Sequence, residues 1–159
     1  MKAKDIQWHL ATRKSSPFYV RRMAAVVPNV SWGLLYDEAD LIVLSKTGYL
    51  TEVEIKISMA DWKADLSKTK WKRTNYQDNL VKRFFYAAPA ELAIRYAELQ
   101  LPEFAGVISI SDRGLAIVIK EAGNIKGHKK LSLLQVHKLL RLASIKAWRM
   151  AYKPEKDEA

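Results

Sequence analysis

The sequence predicts an α/β domain with a central mixed sheet flanked by helices, and three observations support this. Short β-rich runs alternate with amphipathic helical stretches along the chain. Hydrophobic residues make up 49% of the 159, with five tryptophans and seven tyrosines among them, which is ample for a buried core. No internal repeat or long linker divides the chain, so residues 1–152 are expected to form one domain, followed by a charged flexible tail over 153–159.

Between Ala3 and Lys14, Ile6 and Leu10 stand four apart among charges, the pattern of a short helix stopped before Ser15-Ser16-Pro17. Met23 to Val27 is a strand-like apolar run closed by Pro28-Asn29. Ala39–Leu44 and Tyr49–Ile57 flank a Gly-containing turn at Ser45 to Gly48, which predicts an antiparallel hairpin. Alternation in its second strand puts Glu52, Glu54 and Lys56 on one face and Val53, Ile55 and Ile57 on the other. Met59 to about Lys72 is highly charged, with Trp62, Leu66 and Ala60 on a helical stripe, and is expected to be a surface helix.

Val81 to Ala88 is aromatic and strand-like, and Pro89-Ala90-Glu91 opens a helix running to about Gln100. Strands near Gly106–Ser111 and Leu115–Lys120 are joined by the turn signal Asp112-Arg113-Gly114. From Ser132 to Tyr152, the spacing of Leu133, Val136, Leu139, Leu140, Ala143 and Ala147 predicts a long amphipathic helix whose other face carries Lys138, Arg141, Lys146 and Arg149.

Twenty-seven Lys and Arg against 17 Asp and Glu give a net charge of +10, which points to a polyanionic partner, with nucleic acid ahead of a membrane surface. The absence of cysteine excludes disulfides, thiolate zinc sites and a Cys nucleophile. Three scattered histidines, His9, His128 and His137, argue against a histidine-rich metal site. No apolar run approaches the ~20 residues of a membrane span, and the N-terminus leads into no signal-peptide apolar region, so a cytoplasmic location is expected. No glycine-rich phosphate loop is present to support ATP-driven activity.

The sharpest chemical feature is Asp40 followed, after thirteen residues, by Glu54-Ile55-Lys56. Phosphodiester hydrolysis at neutral pH needs a hard divalent cation to activate water and stabilise the charge on phosphorus, and carboxylates are its natural ligands. Acids on neighbouring strands can converge on one ion, and a lysine two positions after the second acid shares its face. A solvated edge strand whose charges discourage aggregation fits the spacing equally well. Against that second reading, both acids sit among apolar strand neighbours, where an uncompensated carboxylate is expensive.

These residues resemble the PD-(D/E)XK nuclease superfamily, and within it the MmcB-type proteins linked to DNA repair and their phage relatives. The likeness spans about residues 20 to 152 and rests on Glu38 to Leu44, Thr51 to Ser58, Asp61 to Leu66 and Arg83 to Pro89, supported by Phe104 to Ile108, Ile119 to Ala122 and the closing helix. It implies a restriction-endonuclease-like fold and Mg²⁺- or Mn²⁺-dependent cleavage of DNA. In it Asp40 and Glu54 would be the metal-binding acids, the carbonyl of Ile55 a further ligand, and Lys56 the catalytic lysine. The superfamily's proline is replaced by Ala39, Asn29 stands where relatives often look acidic, and the candidates for an additional acid are Asp5, Asp37 and Glu38. Glu52 is either an outer acid or a surface residue.

Residues 68–77 pack basic and aromatic side chains together, and Lys70, Arg73 and Gln77 are expected to contact phosphate, with Trp71 in the core. His128-Lys129-Lys130, with Lys126 nearby, is expected to be a plain surface loop. The expected activity is DNA hydrolysis, with a binding module of the same fold, or action on RNA, as alternatives. Both a monomer and a homodimer joined through the last helix are compatible with the pattern.

Overall fold

The computed structural model describes residues 1–30, 35, 38–66, 80–99 and 101–151. Six strands form one mixed sheet in sequence order: β1 (Ala25–Val30), β2 (Ala39–Leu44), β3 (Leu50–Ile55), β4 (Val81–Pro89), β5 (Ala105–Ile110) and β6 (Ala116–Lys120). β1, β2 and β3 pair antiparallel, β3–β4 and β4–β5 pair parallel, and β6 returns antiparallel to β5. The helices are α1 (Ala3–Thr12), α2 (Met59–Leu66), α3 (Ala90–Ala97) and α4 (Leu133–Ala151). The order and type of the elements agree with the sequence pattern, and the α/β class holds.

Strand alternation divides the core between the two faces of the sheet. On one face, Ile6 and Leu10 of α1 and Phe18 pack against Leu41, Val43, Val53, Ile55, Phe85 and Ile108. The other face carries two separate helical layers. α2 and α3 cover β4 and β5 through Trp62, Ala93 and Tyr96 against Phe84, Tyr86 and Val107. α4 covers β1 and β2, with Leu139 against Val27, Ile42 and Leu44. The last helix therefore lies on its own chain's sheet. Between these layers, β3 presents Glu52 and Glu54 on this same face.

Two boundaries differ from the sequence pattern. β1 does not close at Pro28 but runs on to Val30, with Pro28 opposite Leu41. β1 is an edge strand, so the missing Pro28 N–H is tolerated. Asn29 takes a positive φ of 49°, which asparagine adopts more readily than most residues. β3 ends at Ile55, so Val53 and Ile55 are core residues while Ile57 is exposed. Among the described residues no helix is long and apolar enough to cross a membrane.

Gly106 of β5 pairs with Phe85 and leaves room for its ring. A Cβ there would come within 2.5 Å of that ring and 2.8 Å of the Ala122 backbone nitrogen. Overpacking of this kind costs about 1–3 kcal/mol. Gly106→Ala should lower the unfolding free energy measured in urea by that amount, and an unchanged value would show that the Phe85 ring and the Ala122 backbone can move aside.

Candidate active site

The register brings the sequence-predicted acids together. Leu41 faces Val53 and Ile42 faces Glu52, so one step further Asp40 faces Glu54, and Glu54 in turn pairs with Tyr86 of β4. Asp40, Glu54 and Tyr86 thus form a row across three neighbouring strands. One Asp40 oxygen, Oδ2, accepts the N–H of Ile55 at 2.7 Å. This ties the Ile55 peptide to the first acid, while the Ile55 side chain enters the core on the opposite face. The Lys56 N–H continues the β3–β4 ladder to the carbonyl of Ala87 at 3.0 Å.

Lys56 lies just beyond β3, and its side chain is 3% exposed. Its ammonium donates to Glu54 Oε1 at 2.9 Å and lies 3.3 Å from Asp65 Oδ1 and 3.8 Å from Asp61 Oδ1. The two aspartates come from α2. Ser58 begins that helix as its N-cap, accepting the Asp61 N–H through Oγ at 3.1 Å, so α2 starts almost directly after the strand and folds back over Lys56. Asp61 and Asp65 are four apart and share one helix face. Like charges at that spacing repel, and here Lys56 lies between them. Asp65 is fully buried, and its Oδ2 accepts the phenol of Tyr86 at 3.0 Å. Trp62 stacks on Tyr96 at 5.6 Å, and the Tyr96 hydroxyl donates to the Ser58 carbonyl at 2.9 Å, which anchors the start of α2 to α3.

The electrostatics follow from this enclosure. Burial alone pulls the Lys56 ammonium down, but the Glu54 hydrogen bond and the charges of Glu54, Asp65 and Asp61 outweigh it and leave the pKa above that of an ordinary lysine. Burial, reinforced by the charge and hydrogen bond of Asp65, pushes the Tyr86 phenol far up. Tyr96 is pushed up to about 12 by burial, with Asp61 adding and Arg95 opposing.

Asp40, Glu54, Ile55 and Lys56 therefore converge. Glu52 is half-buried one alternation away, on the same strand. Of the candidates for an additional acid, Asp5 is used at the start of α1, where its carboxylate accepts the Lys2 N–H at 2.8 Å. Glu38 is exposed just before β2, and Asp37 lies outside the described residues. Asn29 does sit beside Asp40, but its side-chain oxygen accepts the amide of Gln7, which also donates to the Asp40 carbonyl, both at 2.8 Å. Lys70, Arg73, Gln77 and Trp71 lie outside the described residues.

The sequence reading missed the roles of Asp65, Asp61 and Tyr86. The available signal was the i, i+4 acid pair opening the helix after Glu-x-Lys. Among the described residues no group of three or more His, Asp or Glu side chains forms a ready metal cage.

Comparison with known proteins adds a family and a fold. The profile of the family described as DNA repair protein MmcB-like matches residues 7–153. Among curated proteins none matches. The solved structure of the SPO1766 protein of unknown function from Silicibacter pomeroyi resembles the chain with a TM-score of 0.53 at 20% identity, covering 80% of this chain and 76% of that one. That likeness supports the fold.

The buried cluster predicts an alkaline limit to stability. An unfolded tyrosine loses its proton near 10 and an unfolded lysine near 10.4, whereas Tyr86 and Lys56 hold theirs to higher pH in the folded chain. Their contribution is complete below about pH 10 and is lost as pH rises through the folded values. Urea midpoints should stay level from pH 7 to about 9.5 and fall above 10. In Tyr86→Phe the fall should be shallower, and the unfolding free energy at pH 7 should be lower by about 1–3 kcal/mol for the lost bond to Asp65. Equal alkaline slopes in the two proteins would refute this.

Proposed function

The chain belongs to the MmcB-like DNA repair protein family, and from that premise we propose that it hydrolyses DNA phosphodiester bonds with Mg²⁺ or Mn²⁺ held at Asp40 and Glu54. The observation that carries the reading is the pair of carboxylates on facing positions of adjacent strands, with an ammonium two residues beyond the second. The resemblance of these residues to the PD-(D/E)XK pattern supports it, since that pattern asks for an acid and then acid-x-lysine in this order.

The donor set suits the ion. Carboxylate and carbonyl oxygens are hard ligands, and Mg²⁺ is commonly held by one or two carboxylates, with water and substrate phosphate completing its shell. Such a site needs no cage of three side chains. Asp40, Glu54 and the Ile55 carbonyl are the proposed ligands. When bound, the cation activates water and neutralises charge on the phosphate.

The remaining tasks belong to the chain itself. By gripping the Ile55 N–H, Asp40 fixes the peptide plane next to both acids. Lys56 supplies a fixed positive charge beside the scissile phosphate, oriented before substrate arrives by Glu54 and Asp65. The net charge of +10 draws the polyanion in, so affinity falls steeply as salt rises. Lys70, Arg73 and Gln77, whose placement lies outside the described residues, are proposed phosphate contacts.

One observation favours a second reading. Lys56 is enclosed by three carboxylates and almost wholly buried, which also suits a purely structural ion cluster in a module that binds DNA without cutting it.

One assay separates the two. Wild type and an Asp40→Asn, Glu54→Gln double variant are incubated with labelled duplex, single-stranded and branched DNA and with RNA, in Mg²⁺, Mn²⁺ or EDTA. Cleavage of DNA that requires the ion and disappears in the variant is the expected result, and Lys56→Met should slow it by about 10²–10³-fold. Equal binding by both proteins with no cleavage by either would reject hydrolysis and leave the binding module. Cleavage of RNA alone would reassign the substrate.

A further inference from the structure

A second charged feature lies at the other end of β3, away from the acids. The β2–β3 turn closes with the Ser45 N–H donating to the Tyr49 carbonyl at 2.9 Å and the Gly48 N–H to the Ser45 carbonyl at 3.0 Å. Gly48 takes a φ of +88°, the left-handed conformation this type of hairpin turn requires. The loop between β6 and α4 is pinned twice. Its Ile125 N–H donates to the Lys82 carbonyl and its Leu131 N–H to the Gly48 carbonyl, both at 2.9 Å.

These bonds gather basic groups around one ring. The Lys82 ammonium sits 4.1 Å from the centre of the Tyr49 ring and the Lys130 ammonium 5.3 Å from it, while the His128 ring meets it edge-on at 5.4 Å. Lys46 in the turn and Lys129 in the loop are exposed nearby in sequence. The Lys82 position is itself irregular. Leu50 pairs with Val81 but Thr51 with Arg83, so Lys82 is an extra residue bulged out of β4. Bulges of this kind re-aim a side chain and are common beside functional sites.

Lys82 and Lys130 form no ion pair with another of the described residues. The ring face holds both ammoniums in place. A polyanion that they contact releases its counterions. A row of phosphates also suits cations carried on a rigid turn and a pinned loop better than a single small anion would.

We propose that Lys82 and Lys130, set on Tyr49 and flanked by His128, form a second nucleic-acid contact that grips the phosphate backbone. The inference rests on the DNA reading above. Lys82 and Tyr86 are four residues apart on β4, roughly 13 Å at the usual strand rise, or about four base pairs along a duplex. The patch would therefore hold DNA a few base pairs from the acids.

The test is fluorescence anisotropy of a labelled duplex over a range of salt, with wild type, a Lys82→Ala, Lys130→Ala double variant and a Lys82→Arg, Lys130→Arg double variant. Loss of two phosphate contacts should flatten the plot of log affinity against log salt by about 1.8, at ~0.9 per contact, and the arginine pair should restore the wild-type slope. An alanine pair that melts like wild type and keeps its affinity and slope overturns the proposal, as does a wild type that binds no duplex. Should the alanine pair melt early, Lys130→Ala alone, at an exposed position, should flatten the slope by about 0.9, and an unchanged slope would overturn the proposal. Cleavage by Asp40→Asn, Glu54→Gln is measured in parallel. If that variant still cleaves, the metal-site reading fails while the patch is judged by its own salt slope.

Discussion

A buried ammonium is the constraint around which this fold is arranged. Lys56 has left water, and a lone cation in that position would be untenable. Three carboxylates from two elements meet it, and each needs the chain to take a particular path. Glu54 arrives by strand alternation, whereas Asp61 and Asp65 arrive because Ser58 starts a helix immediately after the strand. Tyr86 then satisfies the second oxygen of Asp65 from the neighbouring strand. Such a cluster adds little net stability over an apolar substitute, but it is intolerant of alternatives. Any packing that moved α2 off the end of β3 would strand a charge.

The two helical layers on that face of the sheet follow the same logic. α2 and α3 pack over β4 and β5, α4 packs over β1 and β2, and β3 lies between them with Glu52 half-buried and Glu54 buried on that face. An apolar β3 would invite a helix to close that gap. Glu52 and Glu54 keep the middle of the face polar, while the opposite face of the same strand is ordinary core built on Val53 and Ile55. One strand thus serves hydrophobic packing on one side and a buried charged cluster on the other.

Much of this was legible from sequence because both signals are local. Alternation placed Glu54 and Lys56 on one face, and the short turn made β2 the neighbour of β3, which brings Asp40 opposite Glu54. What was not legible depends on contacts made across the fold. Asp65 looks like an ordinary surface charge until the start of α2 folds it inward. Tyr86 looks like any aromatic strand residue until its row is known. Pro28 looks like a stop because proline cannot donate to a ladder and usually interrupts a strand, and its place on the sheet edge permits β1 to continue. The gathering of Lys82 and Lys130 on Tyr49 depends on a one-residue bulge, which no composition or periodicity reveals.

The alternation of β3 also sets where the chain can change length. The 45–49 turn is closed by its own hydrogen bonds, so residues added at its tip would lengthen a loop and leave the ladder in step. One residue added between Leu50 and Lys56 would do the opposite. With a side-chain period of two, every residue beyond the insertion would change face, sending Glu54 into the space held by Ile55 and exposing apolar side chains in its place. Drift in chain length should therefore collect in the turns of this hairpin, while the seven residues that carry the acids tolerate exchanges but no insertions or deletions.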